Sequence, residues 1–261
     1  MLLRCNDFSP VLQGNTEINV IIPTPREEGH PIGKDLKVLY LLHGLHGDAS
    51  SWLHYSNIRR YAQDMGLVVV MPSCRNSFYQ DMVYGERFFT YMTQELPALI
   101  QGLFPVSQKP EDTYIAGLSM GGYGALYIGL RCPEKFAAIA SLSGAVDIGF
   151  RHTPVMLPLG APQPFFAQNC FGDIAAIAGS DRDIFTLFEK AKALGRVPRI
   201  YQSCGTADYL YEMNRLSHEK LTQMGAQIDW HEIPGLGHVW DLWDAEIPKV
   251  IRWMLQETDA Q

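Results

Sequence analysis

The segment "YIAGLSMGGYGAL", residues 114–126, places one serine among glycines where a strand pattern gives way to a helix pattern. The residues before Ser119 are apolar or small, as in a strand that is buried on both faces. Gly117 and Gly121 stand two positions before and after the serine, so the segment fits G-x-S-x-G. This pattern is typical of a tight strand-to-helix turn that presents a nucleophilic serine in a strained conformation. A glycine-rich turn with an incidental serine is the alternative.

Apolar runs on both sides of this segment predict the strands of a sheet. Residues 15–23 alternate between polar and apolar side chains, which predicts an antiparallel strand and, with it, an N-terminal antiparallel hairpin. Residues 227–235 mix polar side chains into the run, so we expect that strand near an edge of the sheet. The runs that predict buried strands are 36–44, 66–72, 112–117, 136–144 and 199–205.

Helical patterns fill the gaps between the predicted strands. Pro97 is expected to kink the first helix or to begin a second segment, because proline lacks a backbone donor. Ser180 is the predicted N-terminal cap of a later helix. This alternation predicts an α/β fold with a mostly parallel central sheet, the N-terminal hairpin and helices on both faces. The predicted helices are 85–104, 121–131, 181–194, 209–224 and about 240–256.

Length and composition bound the class of protein. The chain has 261 residues, 47% of them hydrophobic, which suits a single domain over 1–261 with a full core. The net charge is −7 and basic residues do not cluster, so we expect no nucleic-acid partner. No run approaches the roughly 20 apolar residues of a membrane span. The N-terminus lacks the apolar core of a secretory signal, and the scattered cysteines favour reduced thiols, so we expect a cytoplasmic protein.

One long segment breaks the strand–helix rhythm. Residues 145–180 contain four prolines and several aromatic residues between periodic segments. Long irregular insertions in compact domains are usually lids or binding loops. We therefore expect a lid or binding insertion here, with Phe165 and Phe166 placed to cap a site.

A serine nucleophile needs a base, and the base is usually a histidine held by a carboxylate. His238 lies in the glycine-rich loop "PGLGHVWDLW" between the last predicted strand and the last helix, so it is the candidate base. His218 and His231 fall within a helix and a strand, where a ring cannot swing over the serine. Asp208 follows the strand at 199–205 and is the candidate acid. A helix N-cap is the alternative for Asp208, and a helix-capping role is the alternative for His238.

Acyl-transfer chemistry also needs donors for a developing oxyanion. The residue after the nucleophile, Met120, supplies one backbone N–H, and the loop 41–48, "LLHGLHGD", offers a second at Leu45. His43 and His46 raise the question of a metal. Because the spacing supplies no third ligand, we expect no metal, and we expect His43 to order the loop.

With these elements in place, the chain resembles the esterase D family of the α/β-hydrolases. That family includes S-formylglutathione hydrolases and the bacterial tributyrin and acetyl esterases. The resemblance covers nearly the whole chain and implies a triad on Ser119, Asp208 and His238, with oxyanion donors at Leu45 and Met120. It is carried by "LLHGLHGDASSW" (41–52), "VVVMPS" (68–73), "YG" (84–85), "ELP" (95–97), "AGLSMGGYGAL" (116–126), "FAAIASLSGAVD" (136–147), "CGTADYLY" (204–211) and "PGLGHVWDLW" (234–243).

The resemblance implies a serine carboxylesterase that hydrolyses short-chain acyl esters of small molecules, with no cofactor. S-formylglutathione hydrolase or another thioesterase, an acyltransferase, and an acetyl or feruloyl esterase acting on plant-polysaccharide esters are alternatives. A non-catalytic binding protein is disfavoured because all three triad positions are filled. The resemblance allows a homo-oligomer, and the sequence leaves the oligomeric state open. The candidate pocket residues, for which core packing is the alternative, are Trp52, Phe78, Tyr79 and Trp240.

Overall fold

The computed structural model describes residues 1–25, 33–148 and 164–256. The centre of the predicted lid, 149–163, therefore lies outside the described residues, as do the side chains of Phe165 and Phe166. Within the described part of the chain, no helix is long and apolar enough to cross a membrane.

The described strands form one sheet in the order β1-β2-β4-β3-β5-β6-β7-β8. Strands β1 and β2 form an antiparallel hairpin, and β2 joins β4 antiparallel. All pairings from β4 through β8 are parallel, and β8 is an edge strand, so the predicted sheet is confirmed. The strands are β1 (Leu2–Ser9), β2 (Gly14–Ile21), β3 (Val38–Leu42), β4 (Val68–Pro72), β5 (Thr113–Leu118), β6 (Ala138–Leu142), β7 (Arg199–Gly205) and β8 (Ile228–Ile233).

Helices cover both faces of this sheet, as the alternation predicts. In β3, Val38 and Tyr40 pack into one hydrophobic cluster, while Leu39 and Leu41 pack into the other. The helices are α1 (Ser51–Tyr55), α2 (Ile58–Asp64), α3 (Phe88–Thr90), α4 (Leu96–Leu103), α5 (Met120–Arg131), α6 (Pro164–Phe171), α7 (Ile184–Ala193), α8 (Tyr211–Gln223) and α9 (Trp240–Leu255). Three of these helices, α1, α2 and α6, have no counterpart in the sequence prediction.

The helix containing Pro97 is interrupted, as predicted. A π-helical turn, Tyr91–Glu95, joins α3 to α4, and Pro97 lies in the first turn of α4. Proline cannot donate to the carbonyl four residues earlier. That carbonyl, on Thr93, accepts a hydrogen bond of 2.7 Å from Lys135 Nζ.

The predicted cap at Ser180 is wrong. Asp183 caps α7, because its carboxylate accepts from the backbone N–H of Phe185 at 3.1 Å. The Ser180 hydroxyl instead donates to the carbonyl of Ile177. A carboxylate has two oxygens for the unpaired donors of a helix start, and it lies directly before this helix.

Helix α5 packs closely on the loop that follows β4. A Cβ added at Gly124 would lie 2.3 Å from a ring carbon of Tyr79, whose side chain is buried. The Tyr79 hydroxyl donates to the His43 carbonyl at 2.8 Å, so the ring has no room to retreat. Glycine at 124 therefore allows a helix–loop contact that a methyl group would open.

We expect opposite effects from two glycine-to-alanine substitutions. Gly102→Ala in α4, where nothing lies within 4 Å of the added Cβ, should stabilise the fold by about 0.5–1 kcal/mol through helix propensity. Gly124→Ala should destabilise it by about 1–3 kcal/mol through overpacking against Tyr79. Urea unfolding of both variants measures the difference. A gain in stability for both would show that the Tyr79 ring yields freely.

Candidate active site

Ser119 occupies the turn between β5 and α5 with φ 55° and ψ −118°. The neighbouring glycines explain how this turn fits. A Cβ at Gly117 would lie 2.4 Å from the carbonyl oxygen of Gly121, and a Cβ at Gly121 would lie 2.6 Å from that of Leu42. Real side chains do not tolerate such contacts, so the turn requires glycine at both positions. The strained turn predicted from the sequence is confirmed.

The backbone of Ser119 is tied to the segment after β6. Its N–H donates to the Leu142 carbonyl at 2.9 Å, and its own carbonyl accepts from Ala145 N–H at 3.1 Å. Ser119 as a whole is 7% exposed. The turn is thus held on both sides by a neighbouring strand end.

Asp208 and His238 form a buried acid–imidazole pair. His238 Nδ1 lies 2.8 Å from Asp208 Oδ2, with 16% of the histidine side chain and 0% of the aspartate side chain exposed. An ionised carboxylate only accepts, so Nδ1 carries the proton and Nε2 is left as the basic atom. Asp208 Oδ1 accepts from Leu210 N–H at 2.8 Å. This second bond fixes the carboxylate at the start of α8.

These three residues follow different strands of one parallel sheet. Ser119 follows β5, Asp208 follows β7 and the loop of His238 follows β8, so all lie at the carboxyl edge. Ligand sites of open α/β sheets form at this edge. The hydrogen bonds of the described residues join His238 to Asp208 but not to Ser119.

The other two histidines considered are used elsewhere. His218 stacks on Trp230 with ring centroids 5.0 Å apart. His231 stacks on Tyr201 at 4.5 Å and pairs with Asp229 on the surface.

Two aromatic rings that the sequence analysis did not single out contact His238. Tyr209 lies 4.7 Å from it and Trp243 lies 4.8 Å from it at 85°, both between centroids. The Trp243 indole N–H donates to Ser143 Oγ at 3.3 Å. Their positions, one residue after the acid and five after the histidine, were the available signal.

The loop after β3 is ordered by His43. Its Nδ1 lies 2.7 Å from the Gly44 carbonyl, and its Nε2 accepts from Cys74 N–H at 2.9 Å. Together these bonds require the neutral ring with the proton on Nδ1. Burial lowers the pKa of His43, which favours that neutral form. Both ring nitrogens are therefore engaged within the protein.

The same loop lies against the serine turn. A Cβ on Gly44 would be 3.4 Å from Ser119 Cβ, so half-buried Leu45 is brought to the serine. Met120 is the first residue of α5, where helix N–H groups lack intrahelical partners. Across the described residues, no acceptor takes the N–H of Leu45 or Met120. Two unused donors and a helix N-terminus suit a developing negative charge.

No group of three or more His, Cys, Asp or Glu side chains in the described ranges could hold a metal. His46, the second histidine of the loop, is exposed, and its backbone N–H donates to Asn76 Oδ1 at 2.7 Å.

The predicted pocket residues separate into two groups. Trp52 and Tyr79 are 1% and 0% exposed, and they donate to the carbonyls of Leu42 and His43. We correct their assignment: they support the loop after β3 from within the core. Phe78 is buried against other aromatic rings, and half-buried Trp240 packs edge-on against Trp243. Trp240 is the member of the set that keeps partial access.

Backbone strain concentrates around this edge of the sheet. Non-glycine residues with positive φ typically cost about 1–3 kcal/mol each and cluster at functional sites. Nine occur in the described residues, and six of them belong to the loops just described: His46, Arg75, Phe78, Tyr79, Ser119 and Ser143.

The chain matches a family model and is similar to several known proteins. The family model named Esterase matches residues 9–254. An acetyl esterase from Caldicellulosiruptor saccharolyticus is 35% identical over 269 residues, with 99% of both chains covered. FphF, a fluorophosphonate-binding serine hydrolase of Staphylococcus aureus, is 30% identical with a TM-score of 0.88, covering 98% of both chains.

A second solved structure, the S-formylglutathione hydrolase FrmB from Staphylococcus aureus, is 30% identical with a TM-score of 0.85, again covering 98% of both chains. The model match covers most of the chain, and the acetyl esterase spans all but 1% of it. As the resemblance to esterase D implied, the chain belongs to the esterase family, has the α/β-hydrolase fold and is a carboxylic ester hydrolase.

Proposed function

We propose that the protein is a serine carboxylesterase that cleaves short-chain acyl esters of small molecules with a Ser119–His238–Asp208 triad. The observation that carries the proposal is the buried Asp208–His238 hydrogen bond of 2.8 Å at the sheet edge that also holds the Ser119 turn. Leu45 and Met120 are the proposed oxyanion donors.

In the acylation step, Ser119 Oγ attacks the ester carbonyl while His238 Nε2 takes its proton. The backbone N–H groups of Leu45 and Met120 hold the oxyanion. His238 then protonates the leaving alcohol, and an acyl group remains on Ser119. Asp208 keeps the imidazole in the required tautomer and stabilises the imidazolium.

In the deacylation step, water takes the place of the alcohol. His238 Nε2 accepts a proton from the water as it attacks the acyl carbonyl, and the same two amides hold the second oxyanion. Collapse of the intermediate returns the proton to Ser119 and releases the acid. None of these steps needs a cofactor.

Two relatives bear on the substrate. The acetyl esterase relative supports a short acyl group. The S-formylglutathione hydrolase neighbour supports a thioester of a one-carbon acyl group as the second candidate, because both substrates pass through the same tetrahedral intermediate. A ferulic acid esterase of known structure is 22% identical, so it supports the fold alone.

The proposal also includes a single domain and a cytoplasmic location. The Esterase match over 9–254 supports a single domain. All five cysteines are free thiols, which supports a reducing compartment such as the cytoplasm.

Hydrolysis of p-nitrophenyl esters from acetate to octanoate tests the nucleophile. Ser119→Ala should lower kcat by on the order of 10⁴-fold or more, because alanine has no oxygen that can form the acyl-enzyme. Ser107→Ala is the matched control, since Ser107 bonds Asp112 before β5 and should leave kcat unchanged. Equal rates for wild type and Ser119→Ala would refute the triad. kcat/KM should fall from acetate and butyrate toward octanoate. Hydrolysis of S-formylglutathione, followed separately through the loss of its thioester bond, tests the second candidate.

A second prediction concerns the acid. Asp208→Asn should lower kcat by about 10⁴-fold, because an amide no longer enforces the Nδ1–H tautomer. The chain provides a matched control in the exposed Asp229–His231 pair, in which His231 Nε2 lies 3.0 Å from Asp229 Oδ1. Asp229→Asn should leave kcat unchanged, and comparable losses in the two variants would contradict the assignment.

A third prediction concerns pH and the loop after β3. The folded pKa of His43 lies below its unfolded value of about 6.5, so below that pH the unfolded chain binds the extra proton. The free energy of unfolding should therefore have its full value above about pH 6.5 and fall as the pH drops toward the folded pKa of His43. Urea unfolding across this window measures the slope.

His43→Gln should flatten that slope. Burial also lowers the pKa of His218, which is less buried than His43, so His218→Gln is the matched control and should flatten the slope less. A slope unchanged by His43→Gln would show that His43 does not resist protonation in the folded state.

A further inference from the structure

Ser143 has a backbone conformation that favours glycine. Its φ is 46° and its side chain is buried. Its N–H donates to the Ser203 carbonyl at 2.7 Å, which fixes this conformation against β7. Glycine would adopt the same conformation without strain, so contacts of the serine side chain must offset the cost.

The Ser143 hydroxyl is an acceptor within the core. It accepts the indole N–H of buried Trp243 at 3.3 Å. An indole nitrogen only donates, so this bond gives the buried N–H its partner.

The indole leads from Ser143 to the acid–imidazole pair. Trp243 packs on His238 with centroids 4.8 Å apart, and His238 bonds Asp208 at 2.8 Å. Ser143 is therefore linked to the imidazole through Trp243.

Ser143 also belongs to the segment that holds the nucleophile. The residue before it, Leu142, accepts from Ser119 N–H, and Ala145 N–H donates to the Ser119 carbonyl. One short stretch of chain thus contacts the serine turn through its backbone and the histidine support through a side chain.

We propose that Ser143 is a positioning residue of the esterase, which fixes His238 relative to Ser119 by anchoring Trp243. The inference rests on the proposed triad. It explains why a serine stands in a conformation that favours glycine: the hydroxyl supplies an acceptor that glycine lacks.

The expected consequence is a loss in kcat. Without the anchor, the indole and the imidazole against it sample more orientations, so fewer encounters align Nε2 with the Ser119 hydroxyl. Small misplacements of a reacting group cost rate steeply. Substrate binding at the oxyanion donors does not involve Ser143, so KM should stay nearly constant.

The test is a double-mutant cycle on p-nitrophenyl acetate with Ser143→Gly and Trp243→Phe. Phenylalanine keeps a ring against His238 but has no N–H for Ser143. Each single variant should lower kcat by about 10-fold with KM changed less than about 2-fold. The double variant should fall by about 10-fold as well, since both changes break the same bond.

Gln256→Gly is the matched control. Gln256 has φ 58° in the exposed cap of α9, so glycine relieves strain there without touching the site. It should leave kcat and KM unchanged. Thermal unfolding should show Ser143→Gly folded, with a midpoint close to that of wild type.

Several results would overturn the inference. Wild-type kcat in Ser143→Gly would do so, as would losses that multiply to about 100-fold in the double variant. A rise in KM alone would assign Ser143 to substrate binding instead. If Ser143→Gly does not fold, Trp243→Phe decides alone, and its wild-type kcat would reject the proposal. Failure of the proposed function is distinguishable, because Ser119→Ala would then keep activity whatever Ser143 does.

Discussion

The structure depends on one close approach, that of α5 to the carboxyl end of β3. Leu42 of β3 pairs with Gly117 of β5, and Gly121 lies directly over the Leu42 carbonyl. Only glycine allows the helix to begin at this distance. The approach places Ser119 at the apex of its turn and brings the loop of Leu45 beside it. The positions of the proposed nucleophile and of the proposed oxyanion donors are therefore consequences of the same packing.

Polar groups beneath this contact pair with one another within the protein. Both ring nitrogens of His43 hydrogen-bond the backbone, and the side chains of Trp52 and Tyr79 donate to the carbonyls of Leu42 and His43 at the end of β3. Large aromatic side chains with one polar atom suit this task, because they fill volume while pairing a buried carbonyl. The loop after β3 is thereby fixed from within the core, which is the condition for preorganised donors.

The sequence was sufficient for the sheet, the serine turn and the acid–imidazole pair. Buried parallel strands are continuous apolar runs, and parallel strands bring their carboxyl ends together, so Asp208 and His238 could be named from their place after β7 and β8. Short helices such as α1 were not predicted, because five residues are too few to show a helical periodicity. Asp183 and Ser180 could both cap α7, and local pattern does not rank them.

Pocket assignments failed for a different reason. Trp52 and Tyr79 lie in loops beside the site, and a sequence does not reveal whether a loop side chain turns outward or inward. Ser143 and Trp243 escaped because their contact spans 100 positions of chain. Unlike Ser119, Ser143 has no G-x-S-x-G pattern around it that would indicate its positive φ. Such features appear only once the tertiary contacts are known.

The edge position of β8 makes one side of the site easier to open than the other. β5, which leads into the Ser119 turn, is bonded to β3 and β6, whereas β8, which leads into the loop of His238, is bonded only to β7 and is partly exposed. Edge strands open at lower free energy than central ones. His238 can therefore separate from an intact Ser119 turn in a local fluctuation that leaves the core folded, and amides of β8 would exchange with solvent before those of β5.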